Sequence, residues 1–142
     1  MASVKLTGFE DLANMFKMIS DPTEMAIQAV NEAAPVLEKQ LKAEITAAAE
    51  HPTGGLAGSI TTTPAKENDL GVYSVVKPEG TDKNGVDYVD RMRYFDVGFH
   101  DKGKEWHQGH GVRQKAVNSA RSECEKILEK NVEKFIDKAT GG

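Results

Sequence analysis

Asp21-Pro22-Thr23-Glu24 opens the stretch that decides the fold, and His51-Pro52-Thr53-Gly54-Gly55-Leu56-Ala57-Gly58-Ser59-Ile60 closes it. Asp21 can cap free backbone N–H groups, Pro22 suits the first helical position, and Glu24 can reach back to the cap. Ile27, Val30, Ala34, Leu37, Leu41, Ile45 and Ala48 then recur in steps of three and four, one apolar stripe of a helix. Helical throughout residues 22–50, it would run about 43 Å. Pro35 lies in its middle, where the ring clashes with the preceding turn and a ladder bond is lost, so a kink or two abutting helices are expected. Pro52 and the glycine pair then stop the helix.

The glycines invite comparison with a phosphate-binding loop. That loop needs a preceding strand and a Gly-Lys-Ser/Thr opening a helix. Here a helix precedes and no lysine follows, so a nucleotide site is not expected.

Upstream, Val4-Lys5-Leu6-Thr7 alternates like a short strand, and Phe9, Leu12, Ala13, Phe16 and Ile19 fall at helical spacing. Downstream, Ser59-Ile60-Thr61-Thr62-Thr63 and Val72-Tyr73-Ser74-Val75-Val76 read as two strands of an antiparallel hairpin. Residues 78–86 read as a mobile polar loop. A further strand is expected at Arg93-Tyr94-Phe95-Asp96-Val97, ended by Gly98. After a glycine-rich loop at 100–111, Ala116, Ala120, Cys124, Ile127, Leu128, Val132, Phe135 and Ala139 form the apolar face of a last helix. Its lysines 126, 130, 134 and 138 and acids 125, 129, 133 and 137 make adjacent columns, a solvated face with cross-column pairs.

These elements give one α+β domain of 142 residues. A small, mostly antiparallel sheet packs against a long N-terminal helix and a long C-terminal helix. The parts are a helical region over 1–50, the glycine-rich turn and strands over 51–99, the loop over 100–111 and the helix over 112–139. With 39% hydrophobic and 28% charged residues the chain has an ordinary globular composition. Its net charge of −4 offers no basic face for nucleic acid. The single cysteine, Cys124, excludes an intrachain disulfide. No apolar run nears the roughly 18 residues of a membrane span, and residues 1–5 lack a secretory apolar region, so synthesis in the cytoplasm is expected.

Thr53-Gly54-Gly55-Leu56-Ala57-Gly58-Ser59-Ile60 and Tyr94-Phe95-Asp96-Val97-Gly98-Phe99 resemble elements of a family of small morphogenesis proteins from long-tailed bacteriophages. Members serve as minor tail, head–tail joining, neck or tail-completion proteins. The family carries "threonine-glycine-x-leucine-x-x-serine-isoleucine" after an N-terminal helical region. A strand-loop-strand region follows, then "tyrosine-x-x-acidic-x-glycine" and a C-terminal helix. Ala57 stands where a basic residue is usual, and Asp96-Val97 where glutamate-phenylalanine is common. The resemblance implies a structural virion protein, put together in the host cytoplasm, that self-associates as a ring, with a hexamer expected. Connector or head-completion proteins and tail-tube or tail-terminator proteins would be its partners; a tail-tube assembly factor is a near variant. It implies no enzyme, cofactor, catalytic residue or metal.

Candidate partner contacts lie in the two loops: Pro78, Glu79, Asp82 and Asn84 in the first, Trp106, His107 and His110 in the second. Both loops are expected to order on assembly. Trp106, the only tryptophan, suits an interface anchor, and equally a side chain folded onto its own domain. A rival reading is a small cytoplasmic enzyme or metal-binding domain using His100, His107 and His110. Their spacing lacks the tight pairing of structural zinc sites, and no serine or cysteine nucleophile has a base assigned by motif.

Overall fold

The computed structural model describes residues 22–50 and 53–139. The expected strand at 4–7, the helix over 9–19, the Asp21 cap and the His51-Pro52 stop lie outside them. Helix α1 spans Pro22–Ala48 and helix α4, at the other end of the chain, Val112–Ala139. The two are about 40 Å long and pack antiparallel. Met25 near the start of α1 meets Val132, Phe135 and Ile136 of α4, while Leu41 and Ile45 meet Val112 and Ala116. Midway, the Cys124 thiol donates to the Ala33 carbonyl at 3.5 Å. Burial raises the pKa of that thiol, with Glu123 and Glu125 adding to the shift.

Alanines make this pairing close. Ala29, Ala33, Ala116 and Ala120 are all buried, so the backbones approach without long side chains between them. In α1 the buried line is Met25, Ala29, Ala33, Leu41 and Ile45. The expected stripe matches it from Leu41 onward, whereas Ile27, Val30 and Ala34 are only half-buried. A four-residue step drifts about 40° per repeat around a helix of 3.6 residues per turn, so this line winds to follow α4 where the expected stripe ran straight. In α4 the predicted face holds from Ala116 to Phe135, extended by Val112 and by Asn131.

α1 is continuous through Pro35, so of the two expectations, a kink or two abutting helices, the second does not hold. Pro35 is exposed, so the carbonyl deprived of a partner lies on the solvent side, and the packed turns on both sides outweigh a cost of about 3 kcal/mol.

Between the long helices run a short helix α2 (Gly55–Ser59), strands β1 (Ile60–Thr62), β2 (Lys66–Asn68), β3 (Gly71–Tyr73) and β4 (Val76–Pro78), helix α3 (Tyr88–Asp96), and strands β5 (Gly98–His100) and β6 (Trp106–Gln108). This is the α+β arrangement expected, but among the described residues the sheet is divided into three two-stranded antiparallel ladders: β1 with β4, β2 with β3, and β5 with β6. The predicted strand over 72–76 is split. Val72 pairs with Glu67, while Val76 pairs with Thr62. The break is held by side chains, since Thr63 accepts from Ser74 Oγ (2.5 Å) through its carbonyl and from the Val75 N–H (2.9 Å) through its hydroxyl. The Asn31 side chain accepts from the Ala65 N–H at 2.8 Å and fastens this arm to α1.

The larger correction concerns residues 93–97, which are not a strand. They end α3, which starts where Asp87 caps the helix by accepting from the Val89 N–H at 2.9 Å. Met92 of α3 is buried with Ile60, Leu41, Ile45, Val112 and Ala116 in the main core. Burying each large member contributes about 1.5–3 kcal/mol. Among the described residues, no helix is long and apolar enough to cross a membrane.

Candidate functional site: an aromatic cleft

Both loops expected to order on assembly carry their own hydrogen bonds in the single chain. In residues 78–86, Asp82 Oδ1 accepts from the N–H groups of Asn84 (2.8 Å) and Val86 (2.9 Å). Its other oxygen pairs with the Arg91 guanidinium. These contacts, led by the Val86 N–H, hold the Asp82 carboxyl below the usual carboxylate range. A bridge between Thr81 and Asp87 closes the turn. Residues 100–111, expected as a loop, contain β6 and the turn of the β5–β6 hairpin.

That hairpin is an aromatic ladder. Phe99 faces His107 across the strands with rings stacked at 4.9 Å, and His100 faces Trp106 edge-on at 5.0 Å. Tyr94 of α3 meets the edge of Phe99 at 6.0 Å, and Phe95 lies 4.5 Å from the His110 ring. Such cross-strand pairs each contribute about 0.2–1 kcal/mol. Much of the surface stays open to solvent: Tyr94 is 44%, Phe99 42% and Trp106 47% exposed.

The Tyr94–Phe99 element supplies the scaffold. Asp96 Oδ1 accepts from the Arg113 N–H (3.0 Å) at the start of α4, and Asp96 Oδ2 accepts from Arg113 Nε (2.5 Å). Its carboxylate thus satisfies a free N–H of a helix N-terminus, where negative charge is favoured. Gly98 has φ +117°, and a Cβ there would stand 2.7 Å from the Trp106 ring and 2.9 Å from Gly109 N. The acidic and glycine positions therefore set a shape: Asp96 ties the end of α3 to the start of α4, and Gly98 lets the hairpin strands close under Trp106.

α1, α2, α3, the 82–84 turn and the hairpin enclose an open cleft of about 1180 Å³. Gly54, Gly55, Leu56 and Ala57 line one wall, and Tyr94, Phe95 and Phe99 line another. The two sequence elements that resemble the phage family, some forty residues apart, thus meet at one surface. Of the candidate contacts, Asp82, Asn84, Trp106 and His110 line the cleft; Pro78, Glu79 and His107 do not. Pro78 is committed to β4 opposite Ile60, and Glu79 accepts from the Thr61 hydroxyl at 3.2 Å. Trp106 packs on its own hairpin, against Gly98 and His100, and also lines the cleft.

Tyr88, Arg91, Tyr94 and Phe95 were missed because α3 was read as a strand. The signal was present: Asp87 as cap with Asp90 three residues on, then Tyr88, Met92 and Phe95 at helical spacing.

His100, His107 and His110 do not form a ligand set. Among the described residues, the donor atoms that gather within 4.8 Å belong to Asp101, Glu105 and His107. His107 Nε2 lies 2.9 Å from Asp101 Oδ2, and Asp101 Oδ1 accepts from the Glu105 N–H at 2.9 Å. These bonds account for the grouping as a hairpin-tip brace. His107 first, then the Glu105 N–H, draws the Asp101 carboxyl below its usual range. Comparison with protein-family models, with curated proteins and with solved structures finds no match for this chain.

Proposed function

We propose that the chain is a structural virion-assembly protein of a tailed phage or prophage, acting in head–tail joining, the neck or tail completion as an oligomeric ring. The observation that carries this reading is the convergence of the two family-like elements on one cleft with exposed aromatic walls. A contiguous apolar surface with polar turns at its rim is a protein-docking feature. The residues that build it are occupied in holding backbone shape: Asp96 on α4, Gly98 under Trp106, and Gly55 where a Cβ would stand 2.9 Å from the Tyr88 hydroxyl. The short ladders add unpaired strand edges for contacts between subunits. In this reading the partners are the connector or head-completion protein on one side and the tail-tube or terminator protein on the other.

Native mass spectrometry and negative-stain electron microscopy of the purified protein, alone and mixed with head and tail components, test the proposal. Closed rings are expected. A monomer at every concentration, with those components present, overturns it.

A further inference from the structure

Among the described residues, one large apolar side chain has almost no cover. Leu70, at the tip of the β2–β3 hairpin, is 88% exposed. A single exposed leucine is ordinary on a protein surface. This one is held out on a two-residue tip: Leu70 N–H donates to Asn68 Oδ1 at 2.8 Å, and β2 and β3 pair through Asn68 and Gly71.

We infer that the aromatic cleft of one copy receives the Leu70 hairpin tip of a second copy. This rests on the self-association put forward above and names the two surfaces that produce it. The hairpin cannot fill its own cleft. Its arm is fastened to α1 at Asn31, whereas the cleft begins at Ile45, about 21 Å further along the helix. The five residue steps from Ala65 to Leu70 span at most about 17 Å. Charge matches as well. The tip carries Glu67 and Asp69 against Lys66, a net negative charge, and all three are exposed. On the cleft wall, Arg91 is neutralised by Asp82, which leaves Lys83 as the surplus positive charge. Tyr88, Tyr94, Phe99 and Trp106 offer the aromatic surface that an inserted leucine would cover.

Because tip and cleft are different surfaces of the same chain, the contact is head-to-tail. Repeated through a rotation that closes, such a contact makes a ring; otherwise it makes a filament.

Trp106 is the only tryptophan, so its fluorescence reports the cleft directly. In wild-type protein, self-association should be accompanied by a blue shift of that emission. Leu70→Asp, at a solvent-facing position, and Tyr94→Glu, on the cleft wall, should each weaken self-association by at least about 30-fold, with circular dichroism unchanged. Mixing the two variants is decisive. The first keeps an intact cleft and the second an intact tip, so together they should form a 1:1 dimer that grows no further. The blue shift should return in the mixture. Wild-type oligomers that persist unchanged in both variants overturn this interface and leave self-association standing. The absence of any wild-type self-association removes both.

Discussion

Replacing Gly98 with alanine tests whether the hairpin's seat is as close-fitting as its geometry indicates. Gly98 has φ +117°, and an added Cβ would meet the His107 carbonyl, the Trp106 ring and Gly109 N. Holding a non-glycine residue at such a φ costs about 1–3 kcal/mol. Forcing a methyl group into a filled space costs a further ~1–3 kcal/mol, and two of the three obstacles are backbone atoms that cannot rotate aside. A loss of about 2–6 kcal/mol is expected. Unfolding entropy for a chain of this size is about 0.3 kcal/mol per degree, so the melting point should fall by roughly 7–20 °C. Gly58→Ala is the control, because a Cβ there meets nothing within 4 Å and no positive φ is involved. It should be stabilising by about 0.4–1 kcal/mol. Urea unfolding followed by far-UV circular dichroism measures both, with Trp106 fluorescence recorded in parallel to detect a hairpin that opens before the helices. Gly98→Ala within about 0.5 kcal/mol of wild type on both signals would refute the argument.

Asp96→Ala removes two hydrogen bonds to Arg113 from a side chain that is 9% exposed, and should cost about 1–3 kcal/mol. Asp96→Asn keeps an acceptor for the Arg113 N–H and should lose less; equal losses in chemical denaturation would contradict the helix-end role. The Asp101 carboxyl, depressed chiefly by His107, binds its proton less readily folded than unfolded. Its contribution to stability is therefore present above the ordinary carboxylate value of about 3.9 and is lost as pH falls through the lower folded value. Carboxyl NMR should place the Asp101 midpoint below that of a free aspartate, and His107→Ala should move it up. A midpoint that does not respond to that substitution would remove His107 as the cause.

The long helices were legible because their signal is local and repeated. Pro22 and Glu24 mark a start, and a three- and four-residue apolar rhythm over some 27 residues leaves few alternatives. Single residues within that rhythm misled. Pro35 left open a kink or two abutting helices, and the packing of Ala33, Leu41 and Ile45 keeps α1 one continuous helix; the buried line along α1 follows the path of its partner helix, which no local pattern encodes. Residues 88–96 show a different limit. Tyr94, Phe95 and Val97 favour strands by type, yet the Asp87 cap and the place that Met92 finds in the core make the segment a helix. Short elements gain so little from their own propensity that tertiary contacts decide them.

The sequence alone determined a single α+β chain with two long amphipathic helices and marked the residues around Trp106 as a surface of interest. It also placed Gly54 and Asp96 in two short elements some forty residues apart. Only the tertiary structure brought residues 54–57 together with Tyr94, Phe95 and Phe99 around one cleft. It also withdrew Pro78, Glu79 and His107 from that cleft and left Leu70 standing out on its hairpin. A cleft is a relation between segments distant in the chain, and its shape depends on how closely alanine-lined helices and glycine-seated strands approach one another.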